Sequence, residues 1–277
     1  MFQPVIPMTG NTGWKFLQST YDRQLKSYSD SPQIKSDRAY LEEKFSKPVE
    51  LNDFLKDNRL LRVAMTSFDL GGEEWKRGFI SKVLNEAADP ESTFLTRLNN
   101  AQYTAFAKAF TPVDGKISID PDALQAIGDA FEKASFETAV GEIDDSMRLA
   151  LNYQSDISRV VGEGSSETAV LYRILGDVPV RTLLETATGL PSSISQLPLD
   201  QQAEMLKSAL KKSFGISDIH DLANEGNVEK VIRRYHAMEA VANGASSYSG
   251  ASAALTLLNG GAGLGGQGGI NLLLSSL

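Results

Sequence analysis

The chain of 277 residues contains no cysteine. Disulfides and thiolate metal sites are therefore excluded, although the redox compartment is left open. Histidine is almost as scarce, with only His220 and His236 present. A metal at His220 would have to recruit Asp221 and Glu225, without the helical spacing of several ligands that metal sites such as H-E-x-x-H use. No metal site is expected, and both histidines read as ordinary surface or partly buried residues. No apolar run approaches the ~20 residues a spanning helix needs. The start, MFQPVIPMTGNTGW, lacks a basic region followed by an apolar one, so no Sec-type signal is visible and the default location is cytoplasmic. Neither G-K-[ST] nor G-x-S-x-G occurs. The formal net charge is -8 with no basic stripe, which argues against a nucleic-acid partner, because phosphate binding needs clustered Lys and Arg. Finally, no charged side chain follows Glu239.

What is present is helical periodicity over nearly the whole length. Trp14, Leu17, Tyr21 and Tyr28 share one face of a first helix. Ser31-Pro32 gives a cap followed by proline at the first helical position, and Pro48 repeats the device. NRLLRVAMTSFDL is a short apolar helix stopped by Gly71-Gly72, and Glu73–Ala87 follows with Trp75, Phe79 and Val83 on its stripe. Asp89-Pro90 opens another helix, and Tyr103, Phe106 and Phe110 mark the next. Aromatics at such spacing beside Leu and Val are core residues, each worth roughly 1.5–3 kcal/mol when buried. Ile117 and Ile119 alternate too briefly for a sheet and read as a connector. Asp120-Pro121 then caps a helix that the pattern carries to Tyr153, with Gly128 and Gly141 as points of bend or break. Later helices are expected near 167–175, 180–186, 200–214 (Gly215 as C-cap), 218–223 and 228–241.

The expected fold is all-α, a multi-helix bundle of two related halves linked by a long acidic helix, with a flexible carboxyl-terminal tail. Residues 1–13 read as a mobile segment, 14–112 as one helical region, 113–165 as connector and acidic helix, 166–244 as a second helical region, and 245–277 as tail. The relation between halves rests on a faint echo of residues 58–70 in VPVRTLLETATGL (178–190).

Between Asp120 and Ser146 stand eight acids against one base, Lys133. Glu137, Asp144 and Asp145 lie within two helical turns, where burial of one carboxyl would permit general acid–base work. Lying opposite an apolar stripe, they read as a solvated face. Gly261, Gly263 and Gly266 spell G-x-G-x-x-G, but no strand precedes and no acid follows, so no dinucleotide or other cofactor is expected.

The tail is the most unusual stretch. From Ala240 to Leu277 there are nine glycines and no proline. Disordered segments normally stay solvated through charge and proline, and this one has neither. Its apolar residues, Leu255, Leu257, Leu258, Ile270, Leu272, Leu273, Leu274 and Leu277, forgo several kcal/mol if left wet, at about 25 cal/mol per Å². They are the candidate partner-binding residues: the expected partner is a protein, met by groove docking or strand addition, with the glycines as a leash.

GWKFLQSTYDRQLKSYSDSPQIKSDRAYLEEKF, DNRLLRVAMTSFDL and FISKVLNEAADPESTFLTRLNNAQYTAFAKAF resemble the domain of unknown function twelve-seventeen family of alphaproteobacterial helical proteins. The resemblance is best over the first 110 residues and weaker through VLYRILG, RTLLETATGLP and VEKVIRRY. Members are commonly encoded among flagellar genes, so the resemblance implies a flagellar context and supplies no catalytic residues. The expectation is a non-enzymatic interaction or assembly factor, flagellum-associated or exported without a Sec signal. The alternative is a helical hydrolase or small-molecule-binding domain with the acidic helix lining a pocket.

Overall fold

The computed structural model describes residues 3–98, 100–162 and 164–247, with side chains up to residue 242. Helix α1 (Gly10–Ser29) begins four residues before the Trp14 start read from periodicity. The segment before it, expected to be mobile, is packed: Pro4 is buried, and the Val5 backbone exchanges two hydrogen bonds with the Gln24 side chain. In α2 (Pro32–Lys44) Pro32 opens the helix as expected, but the Ser31 hydroxyl makes no cap bond and is buried without a partner among the described residues. Pro48 does not open a helix. It precedes β1 (Val49–Glu50), which pairs antiparallel with β2 (Lys116–Ile117), Val49 opposite Ile117. The supposed connector is thus half of a small ladder, closed by Leu51 N–H donating to the Gly115 carbonyl at 2.9 Å. Each strand is too short to announce itself by alternation, and only the distant partner makes it a strand.

Helix α3 (Leu51–Lys56) leads into α4 (Asn58–Thr66), whose N-cap Asp57 accepts from the Arg59 and Leu60 amides. The next helix, α5 (Arg77–Ala88), starts at Arg77 and not at Glu73. Trp75 therefore falls in the preceding turn and is 77% exposed, contrary to its expected place in the core. Asp89 caps no helix of its own; its carboxylate accepts the Glu91 amide in a turn, and α6 (Phe94–Leu98) begins later. Helix α7 (Ala101–Ala109) is capped by Asn100.

The long acidic helix is two helices. α8 (Pro121–Ile143) ends at Asp144, whose backbone is extended, and α9 (Asp145–Val161) starts there. Asp144 accepts from the Ser146 and Met147 amides and the Ser146 hydroxyl, so a local N-cap wins over continued apolar periodicity. Gly141 does not mark the break. It is where Arg148 folds back against α8: a Cβ there would lie 2.5 Å from Arg148 Cδ. Then follow α10 (Glu167–Gly176), α11 (Val178–Thr188), α12 (Leu199–Phe214) and α13 (Glu225–Ser247), with 3-10 turns at Ser192–Gln196 and Ile219–Ala223. Gly215 ends α12 in the left-handed conformation, the C-cap read from the sequence.

The echo between halves has a local counterpart. Asp57 and Asp177 cap α4 and α11; Asp69 (φ 58°), in the turn after α4, and Gly189 (φ 76°), the C-cap of α11, are both left-handed. Leu70 and Leu190 then each donate their N–H five residues back, to Met65 and Glu185. All three pairs lie at one sequence offset. The halves nevertheless interlock: α8 packs on α1, α2 and α4, and α9 on α10 and α11. Buried apolar residues from Trp14 to Tyr235 form one continuous cluster. Its densest part is aromatic, with Phe54 stacked on Phe110 at 5.3 Å and Phe68 edge-on to both Phe106 and Phe110.

Candidate functional site

The acids of α8 do not form one solvated face. Arg38, on α2, lies over Gly128 and reaches Asp129 at 2.6 Å, Glu132 at 2.8 Å and, within its own helix, Glu42 at 3.0 Å. For Asp129 and Glu132 the positive charge comes from within the chain, from Arg38. Asp144 is consumed in the α9 cap, and Asp145 is exposed.

Glu137 is the exception that matters. It stands one position from Phe136 and three before Val140, on the flank of the apolar stripe, and only 9% of it is exposed. The Tyr21 hydroxyl donates to Glu137 Oε1 at 3.0 Å, and Lys133 Nζ stands 3.9 Å from the same oxygen while donating to Ser155 at 2.9 Å. Burial pushes the Glu137 carboxyl above the usual carboxylate range; Lys133 and the Tyr21 bond oppose this, and Asp69 and Asp156 reinforce it. Burial and the same carboxylate push the Tyr21 hydroxyl up in turn.

Glu137 lines a cavity of about 350 Å³ between α1, α8 and α9, with Gln18, Tyr21, Leu151 and Gln154 among its walls. Gln18 and Gln154 also wall a second cavity of about 470 Å³, which continues between α1 and α9 to Ile157, Val228 and Ile232. The two cavities share Gln18 and Gln154 in their walls. Their residues come from helices far apart in sequence, so periodicity gave no signal for Gln18, Gln154 or Ser155, and it read Tyr21 only as a position on the apolar face of the first helix. The one legible hint was a carboxylate beside an apolar stripe.

The histidines are both committed elsewhere. His220 Nδ1 meets Asp218 at 2.8 Å and Nε2 meets the Ser165 carbonyl at 2.9 Å. Hydrogen bonding to Asp218 holds its pKa above the usual value. His236 is not a surface residue: it is 1% exposed, with ring centroids 5.8 Å from Trp14 and 5.1 Å from Tyr235. Its ring nitrogens and Trp14 Nε1 are buried with no hydrogen-bond partner among the described residues. Burial pushes its pKa down to about 4, against an opposing effect of Asp144. No group of three or more His, Asp or Glu among the described residues is placed to hold a metal. No helix among them is long and apolar enough to cross a membrane.

Leu255, Leu257, Leu258, Ile270, Leu272, Leu273, Leu274 and Leu277 lie outside the described residues, as do Gly261, Gly263 and Gly266. Helix α13 carries the chain toward them, with Val241 already 65% exposed.

Fold and site thus define an all-α protein, with one small two-stranded ladder among the described residues and a carboxylate-bearing cleft between α1, α8 and α9. The chain belongs to the DUF1217 family of proteins of unknown function, whose model matches residues 67–228, more than half its length. The matched span starts later than the resemblance, which was best over the first 110 residues, and takes in its weaker part through VLYRILG and RTLLETATGLP. The chain is also similar to a structural-genomics crystal structure of a protein from Agrobacterium tumefaciens, at 20% identity and a TM-score of 0.65, over 85% of this chain and 97% of that one. At that identity the likeness concerns the fold. No curated protein matches the chain.

Proposed function

We propose that this protein is a non-enzymatic interaction or assembly factor of the bacterial flagellum that docks on a protein partner through its carboxyl-terminal tail. The observation that carries the reading is the tail's composition. After Glu239 there is no charge, and nine Leu and Ile side chains stand among the glycines. Such residues gain several kcal/mol by finding a dry surface, at about 25 cal/mol per Å². The flagellar context comes from the family resemblance and the partner class from the tail chemistry. Flagellum-associated placement, or export without a Sec signal, follows from the same context.

The test compares the full chain with one ending at Ser247. Equal helical circular dichroism, with loss of swimming motility and of a captured flagellar component, supports the reading. Normal motility and an unchanged set of captured partners reject it.

One observation favours a second reading, a small-molecule-binding protein: Glu137 is turned into a cleft and away from bulk water. Ligand-induced shifts of Tyr21 and Gln154 resonances, lost in Glu137→Gln, are the corresponding test.

A further inference from the structure

The His220 ring is held from two sides by acceptors: Nδ1 meets Asp218 Oδ1 at 2.8 Å, and Nε2 meets the Ser165 carbonyl at 2.9 Å. A carbonyl oxygen only accepts, and so does an ionised carboxylate. Asp218 is ionised, because the bonds from the His220 amide and ring hold its carboxyl below the usual carboxylate range. A neutral imidazole carries one N–H and one lone pair, so it satisfies only one of these partners. The imidazolium satisfies both, and the arrangement is complete only when the ring is charged. The bond to Asp218 raises the ring's pKa; desolvation opposes this, and the Ser165 carbonyl and Glu167 add to the rise. The charge is therefore lost above the ordinary imidazole value of about 6.5.

The two acceptors belong to separate segments. Asp218 caps the 3-10 turn Ile219–Ala223, which leads into α13. Ser165 lies in the connection from α9 to α10. That connection is pinned at its start by Arg173, which donates to the Val161 carbonyl at 2.8 Å and packs on Gly162, where a Cβ would lie 2.7 Å from Nη1. Gly162 (φ 60°) and Gly164 (φ 67°) give the connection its tight path. Arginine stays charged throughout the physiological range, so of the two pins only His220 responds to protons. The charged groups around the ring are Asp218 of its own turn and Glu167 of α10, which Lys207 of α12 holds at 2.8 Å. Helix α9 meets the turn with the uncharged Ile157 and Ser158, which share a cavity wall with Ala223, and α13 opens with Glu225. We propose that His220 is a proton-controlled clasp between the α9–α10 connection and the turn that seats α13. When Nε2 gives its proton to solvent, Nδ1–H stays on the ionised Asp218, the stronger acceptor. A lone pair then faces the Ser165 carbonyl, and the connection is released. The clasp is independent of both the tail and the Glu137 cleft.

The test is an NMR pH titration of the full chain, reading the His220 ring nitrogens, the Ser165 carbonyl carbon and exchange of the Ala169 amide, which donates to Ser166 Oγ at 3.3 Å just beyond the clasp. Both ring nitrogens should be protonated at pH 6, with a midpoint above the ordinary imidazole value. The Ser165 shift should follow the same midpoint. Protection at Ala169, corrected for the intrinsic pH dependence of exchange, should fall roughly twofold or more across it, the lower end for one exposed hydrogen bond. Asp218→Asn keeps an acceptor for the His220 amide but removes the charge, and should move all three readouts together to lower pH. In His220→Phe the Ser165 shift should no longer titrate, and Ala169 should be weakly protected at every pH; far-UV circular dichroism checks that the helices persist. A His220 midpoint at or below the ordinary value overturns the charged clasp. Ser165 and Ala169 signals that ignore the His220 midpoint, that stay in place in Asp218→Asn while the ring moves, or that titrate unchanged in His220→Phe overturn the coupling.

Discussion

Gly13 tests how the first residues are held. A Cβ on this glycine would lie 1.8 Å from the Met8 carbonyl oxygen, 2.7 Å from the Met8 carbonyl carbon and 2.9 Å from Met147 Cε. The two closest atoms are backbone, so the clash is relieved only if residues 3–9 leave their bed on α1. That departure breaks both bonds between the Val5 backbone and Gln24, at 2.6 and 3.2 Å, and uncovers Pro4. The hydrogen bonds cost about 1 kcal/mol each and the proline ring about 1 kcal/mol more. Alanine returns at most about 1 kcal/mol of helix propensity. Gly13→Ala is therefore expected to destabilise the protein by about 2 kcal/mol, a fall in Tm of about 4–8 °C for a chain of this size. Calorimetry gives the Tm, and hydrogen exchange at the Val5 amide reports whether the segment has left. Gln24→Ala removes the same two bonds, so the double variant should lose little more than either single one. An unchanged Tm together with a Val5 amide as protected as in the parent would refute the argument, because the Met8 contact would then not exist.

Three further outcomes are expected. Asp37 is 1% exposed; burial favours its neutral form, but Arg62, Gln33 and Arg59 together hold its carboxyl below the usual carboxylate range. Asp37→Ala should cost about 1.5–2 kcal/mol in urea titrations, the lower part of the range for charged hydrogen bonds because both arginines stay partly solvated. The parent's advantage should be present above the ordinary carboxylate pKa and vanish as pH falls through the depressed one. His236, with a pKa near 4, stays neutral in the fold while the unfolded chain takes up a proton below about 6.5. Stability should thus decline as pH falls from about 6.5 to 4, by up to about 3 kcal/mol from this group, and His236→Leu should remove that slope in pH-dependent unfolding. Trp75→Phe should change stability by less than about 0.5 kcal/mol and abolish the acrylamide-quenchable share of tryptophan emission, leaving only buried Trp14; a protected residual signal of unchanged quenching would contradict the exposed turn.

Much of the helical pattern was legible because its signals are local. Pro32, Asp120-Pro121 and Gly215 act within one turn of their own position, and the apolar spacing of Trp14, Leu17 and Tyr28 or of Tyr103, Phe106 and Phe110 needs no knowledge of partners. Other assignments failed where two local signals competed. At Asp144 the cap bonds to Ser146 and Met147 outweighed the continuing apolar stripe. At Trp75 the stripe pointed inward, but the turn that follows α4 delays α5 until Arg77. The Val49–Ile117 pairing and the Arg38 bonds to Asp129 and Glu132 join residues distant in sequence, and no window of periodicity contains both members.

By itself the amino-acid sequence determined the all-α class, most helix ends, the absence of thiol chemistry and the uncharged, leucine-rich close of the chain, since each depends on composition or on neighbours within a turn. Only the tertiary structure decided which charges are spent internally and which are left over. Arg38 closes over α8, while Glu137 is carried under Tyr21 into a cleft that α1, α8 and α9 build together. Whether a carboxylate is solvated, buried or paired depends on what lies across from it. That is a property of packing between distant segments and is written in no single stretch of sequence.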